Sequence, residues 1–387
     1  MRTILAALLI IDTPPPDPAA ARGDALALEQ IVNDQYAYLE RLPGHRFSLS
    51  PKLRSEALSV STPRELVRYS ERALALLADH HAITGASLKD SWAVFPSYGD
   101  LWIAPRGGRY FVEEVREGSP AVRAGVRRGD QLVSIDAIPV AKAVADFWTD
   151  LGTVGGGERD GYAARVLAAG RRDKQRSLTM RRGGGPDKSF LLPNLYGATP
   201  PNRPSLTPST DAGALVIRLH DSLGDTKTIG AFDRAMATAK PGQPILIDLT
   251  DTASGGNTTV ARAILGWFVK RPTAYQIHNL PAEERRTGIA RQWVEQVLPR
   301  KTKYHSGKVT IRVGRWTGSM GEGLAIGFHA LGARIEGTRM AGLLGAVYDH
   351  PLPKTGIVIK LPTERLFSVD SRPRESYVPK PVARPRL

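Results

Sequence analysis

In the C-terminal half of the 387-residue chain, short apolar runs alternate with amphipathic segments. The runs have the length of buried strands, and the segments between them carry apolar residues at helical spacing. The predicted strands are Ala214–Leu219, Ile245–Leu249 and Val309–Val313, and the predicted helices are Ile229–Ala239, Thr258–Val269 and Gly321–Leu331. A further segment, Pro281–Arg300, is predicted to be an amphipathic helix with Ile289, Trp293 and Val297 on one face. Such alternation predicts an α/β core with largely parallel strand pairing.

A glycine-rich turn connects the last of these strands to the last helix. The string GRWTGSMGEGLAIG, Gly314–Gly327, places Ser319 on the turn, between glycines at 318 and 321 that let the backbone bend sharply. The first N–H groups of the helix point to the same place and suit a developing oxyanion, so Ser319 is a candidate nucleophile. An alternative stays open, because Ser319-x-x-Glu322 also fits a capping box, in which the serine only caps the helix.

The N-terminal half of the chain divides into segments with different predicted structures. Residues 1–22 carry an apolar run after Arg2 and then Ala19–Ala21, which resembles a short secretory signal and predicts export to the periplasm or cell envelope. The alternative is a buried or disordered N-terminal segment. Residues 23–90 are predicted to be helical, with one helix starting at Pro63. Residues 91–198 are predicted to form a β domain with strands at Leu101–Ile103, Tyr110–Val115, Gln131–Ile135 and Ser177–Met180. A Pro-rich linker, residues 199–210, leads to the α/β core of residues 211–387.

Composition and charge exclude several classes of function. The chain has no cysteine, which excludes disulfides, thiol nucleophiles and cysteine-ligated metals. The net charge of +15 favours anionic partners in general, but the basic residues are scattered and not grouped with aromatic residues. We therefore expect no nucleic-acid partner. No later stretch of the sequence is long and apolar enough for a membrane span. The adjacent histidines His80 and His81 could bind a metal, but the sequence has no third ligand at a useful spacing.

The string YFVEEVREGSPAVRAGVRRGDQLVSIDAIPV, Tyr110–Val140, resembles a PDZ domain. Ser119-Pro120 is expected to start a short helix that ends at Gly125, and Gly129-Asp130 to turn into the next strand. PDZ domains bind peptides, often at free C-termini, by adding a strand to a sheet edge. By position, the resemblance assigns peptide binding to Gly99, Leu101, Trp102 and Ile103. Asp100 is a poor neighbour for a captured carboxylate.

Taken together, the segments resemble the C-terminal processing peptidases, or tail-specific proteases, which share a catalytic module with tricorn. The resemblance covers roughly residues 26–382. It rests on the end of the helical region, the PDZ-like string, IDLTDTASGGN at Ile247–Asn257, the turn at Ser319 and RESYVPKPV at Arg374–Val382. It implies an α/β multidomain protein: a helical N-terminal region, a PDZ-like β domain and an α/β peptidase core of the tail-specific protease type.

The resemblance also implies roles for individual residues. Ser319 stands at the position of the family nucleophile, and the amides of Gly255 or Gly256 and of Met320 would form the oxyanion hole. The loop at the two glycines is one residue longer than the usual pattern, so either glycine could donate. A plain turn before the helix at Thr258 is the alternative.

The base is where the chain departs from the serine–lysine branch of the family. Leu343 or Leu344 stands where that branch has its lysine, whereas Asp79-His80-His81 resembles the Asp-x-His string of the tricorn-like branch. The resemblance thus makes His81 the base, and a histidine pKa near 6.5 suits that role. His80 remains the alternative member of the pair. Glu375 matches the residue that orients the histidine, although a surface salt bridge is an equal alternative.

The sequence therefore predicts a serine-type endopeptidase or carboxy-terminal processing peptidase that acts on peptides or proteins and needs no cofactor. Two other functions stay open. The chain could be a non-catalytic peptide-binding protein on the same fold, which the missing lysine favours. It could also be another acyl-transfer enzyme on a related core, since fold alone does not fix the reaction.

Overall fold

The computed structural model describes residues 17–196 and 203–381. Most of the predicted export segment therefore lies outside the described residues. Ala19–Ala21, which belong to the predicted segment, lie in the first helix, where Ala21 is buried. Within the two described ranges, no helix combines the length and the apolar character needed to cross a bilayer.

Three helices build the N-terminal region, and each begins with a proline after a capping residue. They are α1 (Pro18–Gln35), α2 (Pro51–Ser59) and α3 (Pro63–Ala75), and they are followed by the two-residue strand β1 (Ile83–Thr84). The predicted start at Pro63 is confirmed. Thr62 Oγ1 accepts the Glu65 N–H at 3.1 Å, and the Glu65 carboxylate returns to the Thr62 N–H, which satisfies two donors that the helix start leaves free.

The next region is an antiparallel sheet with short helices. Its elements are β2 (Leu101–Arg106), β3 (Arg109–Val115), α4 (Pro120–Arg123), β4 (Gln131–Ile135), β5 (Ile138–Pro139), α5 (Val140–Asp150), α6 (Glu158–Ala169), β6 (Arg176–Arg181) and β7 (Asp187–Leu192). The strand order is β2-β3-β4-β6-β7, with β5 beside β4. The four predicted strands and the short helix after Ser119 are confirmed, and Gly125 ends that helix with a φ of +90°.

The C-terminal region contains both helices and strands throughout. Its elements are β8 (Leu206–Asp211), β9 (Ala214–Leu219), α7 (Lys227–Met236), β10 (Ile245–Asp248), α8 (Thr258–Leu265), β11 (Thr273–Asn279), α9 (Pro281–Thr287), β12 (Gln292–Val297), β13 (Val309–Val313), α10 (Met320–Ala330), β14 (Arg334–Gly337), β15 (Ala346–Pro351), β16 (Val358–Phe367) and β17 (Lys380–Pro381). One sheet has the order β17-β14-β13-β10-β9-β8, and its pairs are parallel except β8 with β9. The predicted parallel α/β core is confirmed. Strand β8 occupies residues that the sequence assigned to the linker.

A second sheet of this region is antiparallel and was not predicted. It has the order β1-β16-β11-β12, with β15 also paired to β16. The predicted long helix over Pro281–Arg300 is wrong, because α9 ends at Gly288, which adopts a left-handed φ of +74°, and β12 follows. Trp293 and Val297 lie four residues apart, a spacing that puts side chains on one face of either a helix or a strand.

The hydrophobic cores join the regions. One core runs from α1–α3 through the β2–β7 sheet and includes Leu344, Ile359 and Leu361 of the C-terminal region. A second core fills the space between the parallel sheet and its helices. The antiparallel strand pair β1–β16 therefore brings the residues just before it in sequence, Asp79–Ala82, against the C-terminal region.

Candidate active site

Ser319 lies on a strained turn between β13 and α10. Its φ of +51° and ψ of −115° fall outside the regions that a residue with a side chain normally adopts. A sharp, strained strand-to-helix turn of this kind exposes a nucleophilic serine in other hydrolase folds. The neighbouring glycines are required sterically, since a Cβ at Gly318 would come within 2.5 Å of the Ala253 carbonyl oxygen and one at Gly321 within 2.6 Å of Thr252 Oγ1.

Glu322 fixes this turn from inside the protein. Its carboxylate accepts the backbone N–H of Ser319 at 2.8 Å, which is one half of the predicted capping box. The same carboxylate accepts the N–H groups of Gly342 at 2.8 Å and Leu343 at 3.2 Å. Burial raises the pKa of Glu322 to about 7. Glu322 thus ties the serine turn to the loop that follows β14.

The glycine pair after β10 lies directly against the serine. A Cβ on Gly255 would come within 2.4 Å of Ser319 Cβ, and one on Gly256 within 2.1 Å of the Leu223 carbonyl carbon, so both positions need glycine. The Gly255 N–H already donates to the Thr252 carbonyl at 3.2 Å. Within the described part of the chain, the N–H groups of Gly256 and Met320 contact no hydrogen-bond acceptor, and both residues line the cavity at Ser319.

His81 reaches the same cavity from the N-terminal region. Its Nδ1 lies 2.6 Å from the carbonyl oxygen of Leu344, and its backbone N–H donates to Asp79 Oδ1 at 2.9 Å. Because a carbonyl only accepts, Nδ1 carries the proton and Nε2 keeps its lone pair. Burial lowers the pKa of His81 to about 4, with a further lowering by Arg374, so the ring is neutral at neutral pH.

His80 is held differently. Its Nε2 accepts the Nε–H of Arg165 at 2.9 Å, and its ring stacks on Tyr162 at 4.5 Å. Burial lowers the pKa of His80 as well. Both histidines border the cavity, but only the Nε2 of His81 is free to accept a proton from another group in the described structure. The geometry therefore distinguishes the two histidines that the sequence could not separate.

Arg374, to which the sequence assigned no role, fixes the loop that follows β14. Arg374 is buried, and its Nη2 donates to the carbonyl oxygens of Leu343 and Gly345 at 2.8 Å each, which fixes the carbonyl of Leu344 between them. Glu375, the predicted orienting residue, has a buried Oε2 with no hydrogen-bond partner among the described residues. His81 Nδ1–H thus donates to the backbone carbonyl of Leu344, and an orienting role for Glu375 stays a prediction. Arg374 precedes Glu375 in the string Arg374–Val382, but the sequence does not show that this arginine is buried.

Two lysines of the C-terminal region, Lys354 and Lys360, contact groups other than Ser319. Leu343 packs beside the turn, with its Cδ1 within 3.1 Å of the position that a Cβ on Gly318 would take. Lys360 borders the cavity, but its ammonium pairs with Asp349. Lys354 packs against Gly23 of α1. The cavity itself has a volume of about 760 Å³ and contains Ser319, His81, Gly256 and Met320 in its wall.

The predicted peptide-binding residues lie where the antiparallel domain meets the serine turn. Leu101, Trp102 and Ile103 are buried in β2, which is the terminal strand of its sheet. The Gly99 carbonyl accepts the indole N–H of Trp316 at 2.7 Å, and the Gly99 N–H donates to Pro96. Asp100 is fully buried, pairs with Arg176 and accepts the Ala121 N–H at 3.1 Å. The Gly99 N–H, one group that could hold a peptide carboxylate, is thus engaged within the protein.

This combination of features defines a class: an α/β protein with a PDZ domain and a serine on a strained turn that shares a cavity with a neutral histidine. Residues 111–147 match the family model of the PDZ domain. The described residues have the fold of the C-terminal processing peptidases. No curated protein matches the chain by sequence at a significant level.

Two solved structures show this likeness. The photosystem II D1 C-terminal processing protease aligns with 94% of this chain and 93% of its own, at 15% sequence identity and a TM-score of 0.57. Mature CPAF complexed with lactacystin aligns over 94% of this chain and 93% of its own, at 14% identity and a TM-score of 0.58. At such identities the likeness shows the fold alone.

Proposed function

We propose that the protein is a serine peptidase in which Ser319 is the nucleophile and His81 the general base. The observation that carries the proposal is the state of His81, whose Nδ1–H is committed to the Leu344 carbonyl while its Nε2 is free and shares a cavity with Ser319. A nucleophile, a neutral base and a group that fixes the tautomer of the base are the parts that acyl transfer needs. The fold shared with known peptidases supports a peptide substrate.

In this mechanism Ser319 Oγ attacks the scissile carbonyl carbon and gives its proton to Nε2 of His81. The imidazolium that forms keeps its Nδ1–H bond to Leu344 and then protonates the leaving amine. A water molecule, deprotonated by the same Nε2, hydrolyses the acyl-enzyme and restores Ser319. The short bond to the Leu344 carbonyl stabilises the positive ring, since an imidazolium is a stronger donor than a neutral imidazole.

The oxyanion of the tetrahedral intermediate would be held by the N–H groups of Gly256 and Met320. Both are free of other acceptors in the described structure, whereas the Gly255 N–H is used in a turn. Met320 is the first residue of α10, so its N–H also carries the partial positive charge of the helix start. The free N–H of Gly256 supports Gly256 as the donor, with Gly255 as the residue that lets Ser319 approach.

The PDZ domain would present a peptide to this cavity. Strand β2 is the terminal strand of its sheet, which is the position where an extended peptide can add a strand. Because Gly99 and Asp100 are engaged internally, we place recognition along β2, at Leu101, Trp102 and Ile103. These three residues are buried in this structure, so a peptide would add to β2 only after the groups that cover the strand move away. Export to the periplasm or cell envelope belongs to the same proposal and has the support of the N-terminal sequence only.

The test of the nucleophile is covalent labelling of the full-length protein with a fluorophosphonate. We expect one adduct, which peptide mapping by mass spectrometry assigns to Ser319. The Ser319→Ala variant should not be labelled, and Ser209→Ala, a change at an exposed serine of β8, should be labelled as the unmodified protein is. Equal labelling of Ser319→Ala would remove Ser319 from the role, and a folded protein that no such reagent labels would favour the non-catalytic peptide-binding function.

A further inference from the structure

The glycine loop beside Ser319 is braced by the loop that follows β9. The carboxylate of Asp221 accepts two hydrogen bonds from Ser254, the residue before the glycine pair. Ser254 N–H donates to Oδ1 at 2.6 Å and Ser254 Oγ–H to Oδ2 at 2.6 Å. Asp221 adopts a φ of +56°, a left-handed conformation that aspartate tolerates better than most residues.

The same loop also holds the other end of the glycine pair. The Asn257 N–H donates to the Leu223 carbonyl at 3.1 Å, and Asn257 Nδ2 donates to the Gly224 carbonyl at 3.2 Å. Gly256 packs so closely on Leu223 that a Cβ would overlap its backbone. The proposed oxyanion donor therefore lies between two residues that are both anchored to one neighbouring loop.

We propose that Asp221 is a positioning residue that sets the direction of the Gly256 N–H through Ser254. The inference rests on the proposed function, because it needs Gly256 as an oxyanion donor. Two adjacent glycines have wide conformational freedom, so the chain alone does not fix where this N–H points. Oxyanion stabilisation depends on donors that are already in place when the charge develops. The two bonds from Ser254 to Asp221 restrict that freedom on the N-terminal side of the glycine pair.

The brace extends to the PDZ domain side of the cavity. Ser97 Oγ lies 3.0 Å from Ser254 Oγ, and because the Ser254 hydroxyl donates to Asp221, Ser97 is the donor of that contact. Arg116 holds Ser97 by donating to its carbonyl at 2.7 Å and pairs with Asp251 at 2.8 Å. Since Ser97 contacts only the hydroxyl of Ser254, its loss should affect the loop less than the loss of Asp221.

The test compares steady-state kinetics of three full-length variants on a peptide substrate that the unmodified protein cleaves. Asp221→Ala should lower kcat by about 100-fold, the scale of a small misplacement of a catalytic group, with KM nearly unchanged. Asp221→Asn keeps one carbonyl oxygen that can accept the Ser254 N–H, so its kcat should fall less than that of Asp221→Ala. The matched control is Asp225→Ala, on the same loop, where the carboxylate accepts only the Lys227 N–H at 2.9 Å in the described structure; its kcat should be unchanged.

A residue that only stabilises the fold would give a different pattern. It would lower the thermal midpoint and the amount of active enzyme, but kcat per labelled active site would stay unchanged in both Asp221→Ala and Asp221→Asn. If Asp221→Ala is poorly folded, Ser254→Ala can be used instead, because it removes the hydroxyl bond to Asp221. This variant should also lower kcat and leave KM unchanged. Values of kcat per labelled site equal to that of Asp225→Ala would overturn the positioning role. Failure of the proposed function itself is recognised separately, by the absence of labelling at Ser319 in the unmodified protein.

Discussion

The two halves of the candidate site are built in different ways. The nucleophile half, Ser319 with Gly256 and Met320, lies at the carboxyl ends of β10 and β13, which are parallel neighbours with Ile247 paired to Ile311. The base half depends on a single hydrogen bond between residues 263 positions apart in sequence, from His81 to Leu344. The first half is encoded by two short strings, whereas the second exists only when the N-terminal region has docked on the C-terminal region.

This difference has a physical consequence for the base. His81 is enclosed by the loop after β14, at Leu344 and Gly345, and by Arg374, so burial and the nearby guanidinium keep its ring neutral. A histidine in an open turn would keep its ordinary pKa. Docking of the two regions thus creates both the orientation and the protonation state of the base, while the serine turn is fixed by Glu322 and the glycine pair of the C-terminal region.

Within the base half, the largest effect is expected from His81→Ala, which should lower kcat/KM by at least ~100-fold through loss of the general base. His80→Ala should cost much less, because His80 Nε2 is already bonded to Arg165. Kinetics of both variants on one peptide substrate, with folding checked by circular dichroism, give the comparison. A reversed order would make His80 the base. Unchanged activity in both variants, with loss of turnover on substitution of Lys354 or Lys360, would instead indicate a serine–lysine dyad.

The pH dependence of kcat/KM gives a second, smaller test of the base half. A protonated His81 cannot accept the serine proton, so activity should fall by about tenfold per pH unit below the pKa of the free enzyme. Since that pKa is lowered to about 4 by burial, the acid limb should lie well below the ordinary histidine value. A limb that stays near the ordinary value, measured in a range where the protein remains folded, would mean that His81 is not enclosed in solution.

The smallest effect is expected at Glu375. The carbonyl of Leu344 already orients His81, so Glu375→Gln should lower kcat/KM far less than His81→Ala does. The neutral glutamine keeps the size of the side chain and removes only its charge. A loss as large as that of His81→Ala would restore Glu375 as the group that orients the base, as the family resemblance implies.

Much of the nucleophile half could be predicted from sequence, because its signals are local. Glycines at 255, 256, 318 and 321 mark close backbone approaches that leave no room for a Cβ, and the strand-to-helix alternation places both turns at one edge of a parallel sheet. The antiparallel sheet escaped prediction for a related reason. In β12 the apolar residues Trp293 and Val297 have a spacing that fits a helix and a strand equally well, and only the pairing with β11 decides between them.

The base half could be predicted only as far as its residue types. The string Asp79-His80-His81 named two candidates, but the partners that separate them, Arg165 and the Leu344 carbonyl, lie far away in sequence. A backbone carbonyl carries no residue signature, so no motif could have indicated it as the group that fixes the tautomer. The brace at Asp221 is similar, since its partner Ser254 is 33 residues distant and nothing in the string Ile247–Asn257 indicates Asp221 as that partner.

The measurement that tests the central claim most directly is hydrolysis of a peptide library by the full-length protein and its Ser319→Ala variant, followed by mass spectrometry. We expect the unmodified protein to cleave internal peptide bonds and Ser319→Ala to be slower by at least ~10⁴-fold, as when a catalytic serine is removed from a working set of residues. Cleavage that continues at the same rate in Ser319→Ala, or a folded protein whose labelled serine cleaves no peptide at all, would contradict the account.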